Sequence, residues 1–522
     1  MVFPPFDWWK IAAPKVWLPT ASEMANLDSV ATSSGAIPER VLIENAGRAV
    51  AHALQERYPN GRVLVLAGGG HNGADALVAG RTLHMWGREV EVVQCGSRFP
   101  NPNVLAGWEF DILGPDFIAE ALTRNDVVID GILGTGFETA PRELQATIIE
   151  RVNEAQVSVV SVDGPSGIDF TTGQTPGSAI HAELTITFGW PKLGLLRFPA
   201  RSCCGDIVCV EIGFPPPTPL PRARAITASW AVELLGSRAD NAYKGDAGYL
   251  TLIGGQSGMA GALILATEAA IRAGVGIVRV VSDGANREII QSTVPDAVFV
   301  DWSDSTAVRE AVIWADAIAI GPGLGCDTDR AELLNDTLAM RSSPIVVDAD
   351  ALNLIKGDLS SLATASDKGM LLTPHPGEMA RLLGTSIALV QEDPPGITRE
   401  LAQRTGATTL LKGAPTWIAE PNGDLRVTSI VSPAFASAGM GDVLTGTCGA
   451  YLATGLSPVD AATAALAITA LAVSTKLDPV GSSSRDIPAA IVEARASLLE
   501  VIPGAWAGVV MAFPAACDGS AG

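Results

Sequence analysis

The sequence predicts an α/β protein of two three-layer domains, each a largely parallel sheet covered by helices on both faces. Three observations lead there. Apolar runs of strand length recur along the chain and alternate with helical patterns, as expected of parallel sheets buried on both sides. The chain has 522 residues, more than a single hydrophobic core usually organises. The proline-rich stretch FPPPTPLPRAR, Phe214 to Arg224, then interrupts the alternation as a stiff connector. The expected division is a tail at 1–19, a first domain at 20–213, a linker at 214–224, a second domain at 225–503 and a tail at 504–522.

The elements follow in chain order. The opening MVFPPFDWWKIAAPKVW is aromatic and proline-rich. It lacks the basic and continuously apolar regions of a signal peptide. Its Trp8, Trp9 and Trp17 are expected to pack on the domain or on a partner. Thr20 to Ala53 reads as helical. Arg62 to Gly68 reads as a buried strand, GGHNGAD as a turn, and Asp75 to Trp86 as a helix. Strands are expected at Val90–Gln94, Asp126–Asp130, Val157–Val162, Leu184–Phe188 and Asp206–Glu211. Beyond the connector, strands are expected at Tyr249–Ile253, Gly276–Val281, Ala317–Ile320, Pro344–Val347, Met370–Thr373 and Thr408–Leu411. A hairpin follows at Thr416–Thr428, turning on Pro421, Asn422, Gly423 and Asp424. Helices are expected at Ala260–Ala273 and from Asp442 to Val473, and the Ala/Gly-rich end from Gly504 is expected to be partly loose.

Composition narrows the function classes. Lys and Arg number 35 against 56 Asp and Glu, a net charge of −21. Such a chain is a poor non-specific binder of nucleic acid or anionic membrane. Its longest weakly polar run, Ala461 to Ser474, is short of a membrane span. Seven cysteines and five histidines are dispersed without metal-site or disulfide spacing. An odd cysteine count fits a reducing compartment, so a soluble cytoplasmic protein is expected.

The chemistry is expected at strand ends. SAGMGDVLTG, Ser437 to Gly446, puts small residues on a turn that feeds a helix N-terminus, where backbone donors and the helix dipole favour an anion. Asp442 repels phosphate there, and suits a base that takes a proton from a hydroxyl attacking a phosphoryl group. An acidic N-cap on a buried helix is the plainer alternative. In the first half, Asn72, Asp130, Asp163, Ser166 and Lys192 all follow strands and would converge beyond the carboxyl edge of a parallel sheet. Oxygen donors of this kind suit a hard cation, and Asp163 with Lys192 suits acid–base work. Helix caps and a solvated lysine are the alternatives. In the second half, IGGQSGMAGA, IGPGLG, DADAL, LTPHPGE and LKGAPT occupy equivalent places. Lys412 can pair a nucleotide phosphate, and Pro374 and Pro376 flank His375 on a rigid turn.

These motifs carry a family resemblance. VDGPSGID and PKLG in the first half resemble the NAD(P)H-hydrate epimerase domain, of Rossmann-like fold. KGDAG, GPGLG, TPHPGE, KGAPT and GDVLTG in the second resemble the ADP- or ATP-dependent NAD(P)H-hydrate dehydratase domain of the ribokinase-like group. Together, from about Thr20 to Pro503, the chain is similar to the bifunctional NAD(P)H-hydrate repair family. The resemblance implies interconversion of R and S hydrates, then dehydration of the S form to NAD(P)H at the expense of ADP or ATP. It implies potassium held by Asn72, Asp130 and Ser166. The hydrate would lie against His71, Asn72, Gly73, Ala74 and Asp75, against Gly134, Thr135, Gly136 and Phe137, and against Asp163. Lys192 and Asp163 would carry out the epimerase proton chemistry. In the second half Ala262, Gly323, His375 and Asp442 would contact the hydrate. Lys412, Gly413, Ala414, Pro415, Thr416 and Gly441 would bind the adenine nucleotide, with Mg2+ as its counter-ion. A homo-oligomer is also implied. The chain departs from the family pattern at His71, Ala74 and Met440, and its Val431–Phe435 segment lacks the usual Asn. A ribokinase-like small-molecule kinase and a nucleotide-binding scaffold are the rival readings.

Overall fold

The computed structural model describes residues 16–33, 37–100, 102–137, 139–236, 241, 243–355, 358–428, 430–476, 481–498, 509–513 and 516. The tail bearing Trp8 and Trp9 lies outside these residues. Two compact units are present, residues 1–224 with 503–522, and residues 225–502.

In the first unit the region expected to be helical throughout is two helices, α1 (Ala21–Ser33) and α2 (Glu39–Arg57). Pro38 directly precedes α2 in extended backbone, consistent with proline's fixed φ and missing N–H. Seven strands follow: β1 (Val63–Ala67), β2 (Val90–Gln94), β3 (Ile112–Leu113), β4 (Val127–Gly131), β5 (Ser158–Val162), β6 (Leu184–Phe188) and β7 (Asp206–Val210). They pair in parallel in the order β7-β6-β5-β4-β1-β2-β3. β1, β4 and β6 are buried at every position, and β1 accordingly reads in the sequence as an unbroken apolar run. The helix after β1, α3 (His71–Met85), starts earlier than expected. His71 to Asp75 is therefore its first turn, not a loop. Between Phe214 and Arg222 no helix or strand forms, and a short strand, Ala223–Ile226, follows.

The second unit holds β8 (Tyr249–Ile253), β9 (Ile277–Ser282), β10 (Val298–Asp301), β11 (Ala317–Ile320), β12 (Ile345–Val347), β13 (Met370–Leu372) and β14 (Thr408–Leu411), all parallel. The antiparallel pair β15 (Trp417–Ala419) and β16 (Leu425–Thr428) extends the sheet, in the order β16-β15-β14-β13-β12-β11-β8-β9-β10. Three helices matter for the site: α4 (Ala260–Ala273), α5 (Met440–Ala453) and α6 (Pro458–Lys476). The single helix expected over Asp442–Val473 is thus broken, at Gly455 with φ 91°. Gly446 lets α5 lie directly on α4, since a Cβ there would meet the Ala266 carbonyl oxygen at 1.9 Å.

The C-terminal stretch expected to be partly loose lies mostly outside the described residues, with one ordered segment. Residues Val509–Phe513 form a strand, β17, antiparallel to β7 at the edge of the first sheet. An unpaired edge at β7 offers a full ladder of donors and acceptors, and this apolar segment satisfies it. Among the described residues no helix is long and apolar enough to cross a membrane.

Candidate functional site

Each sheet reverses its strand order once, and the polar residues gather there. In the first unit the reversal lies between β1 and β4. Their following loops touch closely: a Cβ on Gly68 would sit 1.9 Å from the Ile132 carbonyl oxygen. Asn72, in the first turn of α3, donates its side-chain amide to Leu133 O at 2.9 Å and Val162 O at 2.7 Å. It thereby ties three strand-end loops together. Gly134 lies over the Asn72 side-chain oxygen, where its missing Cβ would be 2.7 Å away. Thr135 and Gly136 continue that turn, closed by Phe137 N donating to Gly134 O at 3.1 Å.

Asp130, at the end of β4, has no solvent exposure. Its carboxylate accepts from Ser161 Oγ at 2.8 Å, Ser166 N at 2.9 Å, Ile132 N at 3.3 Å and Ser166 Oγ. Burial pushes its pKa up, against the pull of those four hydrogen bonds. Asp163 follows β5 with φ 65°, a left-handed conformation uncommon outside glycine and tolerated best by Asn and Asp. That turn aims the carboxylate at Lys192, whose side chain is 1% exposed. Asp163 also accepts from Thr187 Oγ1 at 3.0 Å, and Lys192 donates to Thr187 Oγ1 at 3.1 Å and Phe188 O at 3.2 Å. The ammonium is thus enclosed, paired and oriented, as a buried charge requires.

Two further carboxyls face this pair. Asp75 is buried and accepts no hydrogen bond among the described residues. Burial, then the Asp163 and Asp28 charges, hold its pKa well above the carboxylate range. Asp28 of α1 is pushed up to about 6 by burial, partly offset by Lys192. Sequence reasoning missed Asp28, because nothing in the spacing of α1 sets it apart from that helix's other polar residues. His71, by contrast, points outward: its Nε2 lies 2.8 Å from Glu39 Oε1 in an exposed pair. Gly73 packs against the β1 loop, its absent Cβ 2.0 Å from Gly68 O, and Ala74 is buried beside it.

In the second unit the reversal lies between β8 and β11. Gly255 N donates to Pro322 O at 2.9 Å and Gln256 N to Gly323 O at 2.6 Å, so the IGGQSG and GPGLG loops are stitched together. Gly323 has φ 59°, and its Cβ would lie 3.4 Å from that of Ala262 in the first turn of α4. Asp348 ends β12 and is buried, and Ala349 after it has φ 47°. The Asp348 carboxylate accepts from both Lys412 Nζ and Thr445 Oγ1. Burial alone would lower the Lys412 pKa, but the Asp348 and Glu378 charges more than reverse this and raise it. Asp348 was visible in the sequence as another strand-terminal acid, the same signal that marks Asp130 and Asp163.

Gly441 and Asp442 open α5 beside this pair. A Cβ on Gly441 would lie 3.1 Å from Lys412 Nζ. The Asp442 carboxyl is pushed up to about 7 by burial and by the neighbouring Asp348 charge, partly offset by Lys412. Gly439, at φ 87°, caps α5 with no side chain; Met440 N donates to Ser437 O at 3.3 Å, and the Gly441 and Asp442 N–H groups stay open to a ligand. His375 caps the short helix Pro376–Leu383, its Nδ1 accepting from Gly377 N at 3.0 Å. Burial and the Lys412 charge lower its pKa. A cavity of about 290 Å3 opens next to Gly441, lined by Lys412, Gly413, Ala414 and Thr416 and walled by Phe435, Met440 and Leu444. Pro415 does not line it.

The family model described as NAD(P)H-hydrate dehydratase matches residues 250–487, and that described as YjeF-related protein N-terminus matches residues 39–194. A bifunctional NAD(P)H-hydrate repair enzyme of Moorella thermoacetica is 38% identical over 475 residues, 85% of this chain and 89% of that protein. Its Escherichia coli counterpart is 37% identical over 440 residues, 81% and 82% of the two chains. A solved ribokinase-like superfamily protein from Enterococcus faecalis aligns with 53% of this chain and 96% of its own, at 27% identity and a TM-score of 0.49.

Proposed function

The chain belongs to the family of bifunctional NAD(P)H-hydrate repair enzymes, and from that premise we propose which residues perform each half of the repair. The first unit epimerises the hydrates and the second dehydrates the S form to NAD(P)H. The observation that carries this is the pairing, in each unit, of an Asp–Lys couple with glycine-rich turns along the carboxyl edge of the parallel sheet.

In the first unit the hydrate lies against the first turn of α3, the Gly134–Phe137 turn and Asp163. The Asp163–Lys192 couple takes the hydroxyl proton as the ring C–N bond opens to the aldehyde and returns it as the nitrogen recloses on the other face, which inverts the hydrated carbon. Asn72, Asp130 and Ser166 offer only oxygen and amide groups, a donor chemistry that fits potassium. A cation held there would fix the three loops and supply positive charge beside the substrate.

In the second unit the adenine nucleotide occupies the cavity beside Lys412–Thr416 and Gly441, and the hydrate occupies the side of Ala262, Gly323 and His375. The Asp442 carboxylate takes the ring hydroxyl's proton as that oxygen bonds to the terminal phosphorus of ADP or ATP. The P–O bond to the departing nucleotide breaks, and Lys412 with the α5 N–H groups stabilises the charge. The ring nitrogen's lone pair then expels phosphate from the carbon, and loss of a proton from the adjacent carbon restores the dihydropyridine. Mg2+ bound to the nucleotide phosphate oxygens would supply further charge neutralisation.

The test is the absorbance of NADH regenerated from mixed R and S hydrates with ADP or ATP, magnesium and potassium, against a blank for spontaneous epimerisation. Full conversion is expected. Stopping at the S fraction removes the epimerase assignment, and phosphorylated product without NADH leaves a kinase instead.

A further inference from the structure

A second polar groove lies on the flank of the first unit, away from the Asp163–Lys192 couple. It has a volume of about 270 Å3 and is lined by α2, α3 and the loop after β2. Three arginines face it, Arg40, Arg48 and Arg81, against one acid, Glu44. Arg81 is fixed, donating to Glu44 Oε2 and to the Val104 carbonyl. Arg40 and Arg48 form no hydrogen bond or ion pair among the described residues. Trp108 supplies an aromatic wall and is 37% exposed.

In a chain of net charge −21 this is a local reversal of sign. Unpaired guanidinium groups held on a helix face are suited to phosphate, and an open indole is suited to a base or to a guanidinium. Two contacts link the groove to the reaction site. Glu39, the neighbour of Arg40, pairs with His71 at the start of α3. The loop that ends in Trp108 begins by laying Arg98 over the glycine turn after β1, its Cγ 3.0 Å from where a Gly69 Cβ would be.

We propose that this groove holds the phosphorylated adenosine end of the dinucleotide hydrate, with the phosphate on Arg40 and Arg48 and the base against Trp108. The proposal rests on the epimerase reading of the first unit for its substrate. The phosphate ester chemistry is shared by a free adenosine phosphate, so the test separates the two.

The full chain is saturated with magnesium and a non-hydrolysable ATP analogue, which fills the nucleotide cavity of the second unit. Binding of 2′,5′-ADP is then followed by calorimetry, and epimerisation of NADPH hydrate by chromatographic separation of the epimers. The double variant Arg40→Gln/Arg48→Gln is expected to weaken 2′,5′-ADP binding by about tenfold or more and to lower kcat/KM similarly, with the loss carried by KM. Trp108→Leu, which leaves the charge unchanged, is expected to weaken both by a few-fold. Unchanged 2′,5′-ADP affinity in variants with wild-type melting temperatures overturns the proposal. Weaker 2′,5′-ADP binding with an unchanged KM overturns the substrate assignment and leaves a free nucleotide phosphate as occupant. A wild type that binds 2′,5′-ADP through these arginines but does not epimerise overturns the reading of the first unit and leaves the groove standing.

Discussion

The two units solve one electrostatic problem in different ways. Each pairs a lysine with an aspartate along the carboxyl edge of its sheet, and each places a left-handed non-glycine residue there. In the first unit that residue is the aspartate itself, Asp163, and its lysine is sealed at 1% exposure. In the second it is Ala349, one residue on, and the lysine side chain keeps 22% of its surface. The difference shows in the third group. Around the sealed couple the extra carboxyls Asp28 and Asp75 are pushed up, towards their protonated forms. Around the open couple Asp348 is bound by both Lys412 and Thr445, and its charge helps raise Asp442 to about 7, near the pH at which a base works best. A buried Asp–Lys pair is therefore not a function in itself. What it does depends on which neighbour it tunes and on which side is open to a ligand.

The sharpest break in the comparison is Asp442→Asn. It is expected to cut dehydration by about a thousandfold, the upper part of the range for losing a general base, while nucleotide affinity and epimerisation hold. A mutant retaining most of its rate takes the base role from Asp442. Next is Lys192→Ala, expected to slow epimerisation by about a hundredfold and leave dehydration of pure S hydrate unchanged. Because the lysine is sealed, a melting curve must accompany it. An equal loss in both reactions would mean that the two sites are not separate.

The pH dependence sharpens the contrast without any mutation. The base role proposed for Asp442 requires its carboxylate, so kcat for dehydration is expected to fall about tenfold per pH unit below about 7. A rate flat down to pH 5 would mean its carboxyl is not raised in the working enzyme. The smallest expected effect is Met440→Ser. The thioether walls the nucleotide cavity and offers no donor, and a hydroxyl there is expected to tighten the nucleotide by about threefold, measured by calorimetry.

Much of this was legible in the sequence, and the reasons are physical. The central strands are buried on both faces and so are rich in apolar and β-branched residues. β2, β6, β8, β11 and β14 fall where the sequence alone puts them. The edges were not legible: β3 has two residues and β10 is partly exposed, so neither carries a clear period. The helix breaks at Pro38 and Gly455 coincide with breaker residues, Gly35 with Pro38 and Gly455 with Pro458, that helix-forming stretches on either side masked. For the sites, glycine turns and strand-terminal acids pointed to the right loops. The outward turn of His71 onto Glu39 and the inward turn of Asp28 arise only when α1 and α2 pack. The arginine groove joins three segments distant in sequence, and no local pattern announces it.

β17 brings a consequence for synthesis. The strand that closes the β7 edge is made almost 300 residues after β7 itself, once the whole second unit has been translated. On the ribosome the first sheet must therefore wait with a bare edge while its neighbour is made and folds. Chains cut short by premature termination keep that edge exposed, a ready template for pairing with other strands. Residues Val509–Phe513 thus separate copies in which the second unit has been made from shorter fragments that chaperones and proteases should remove.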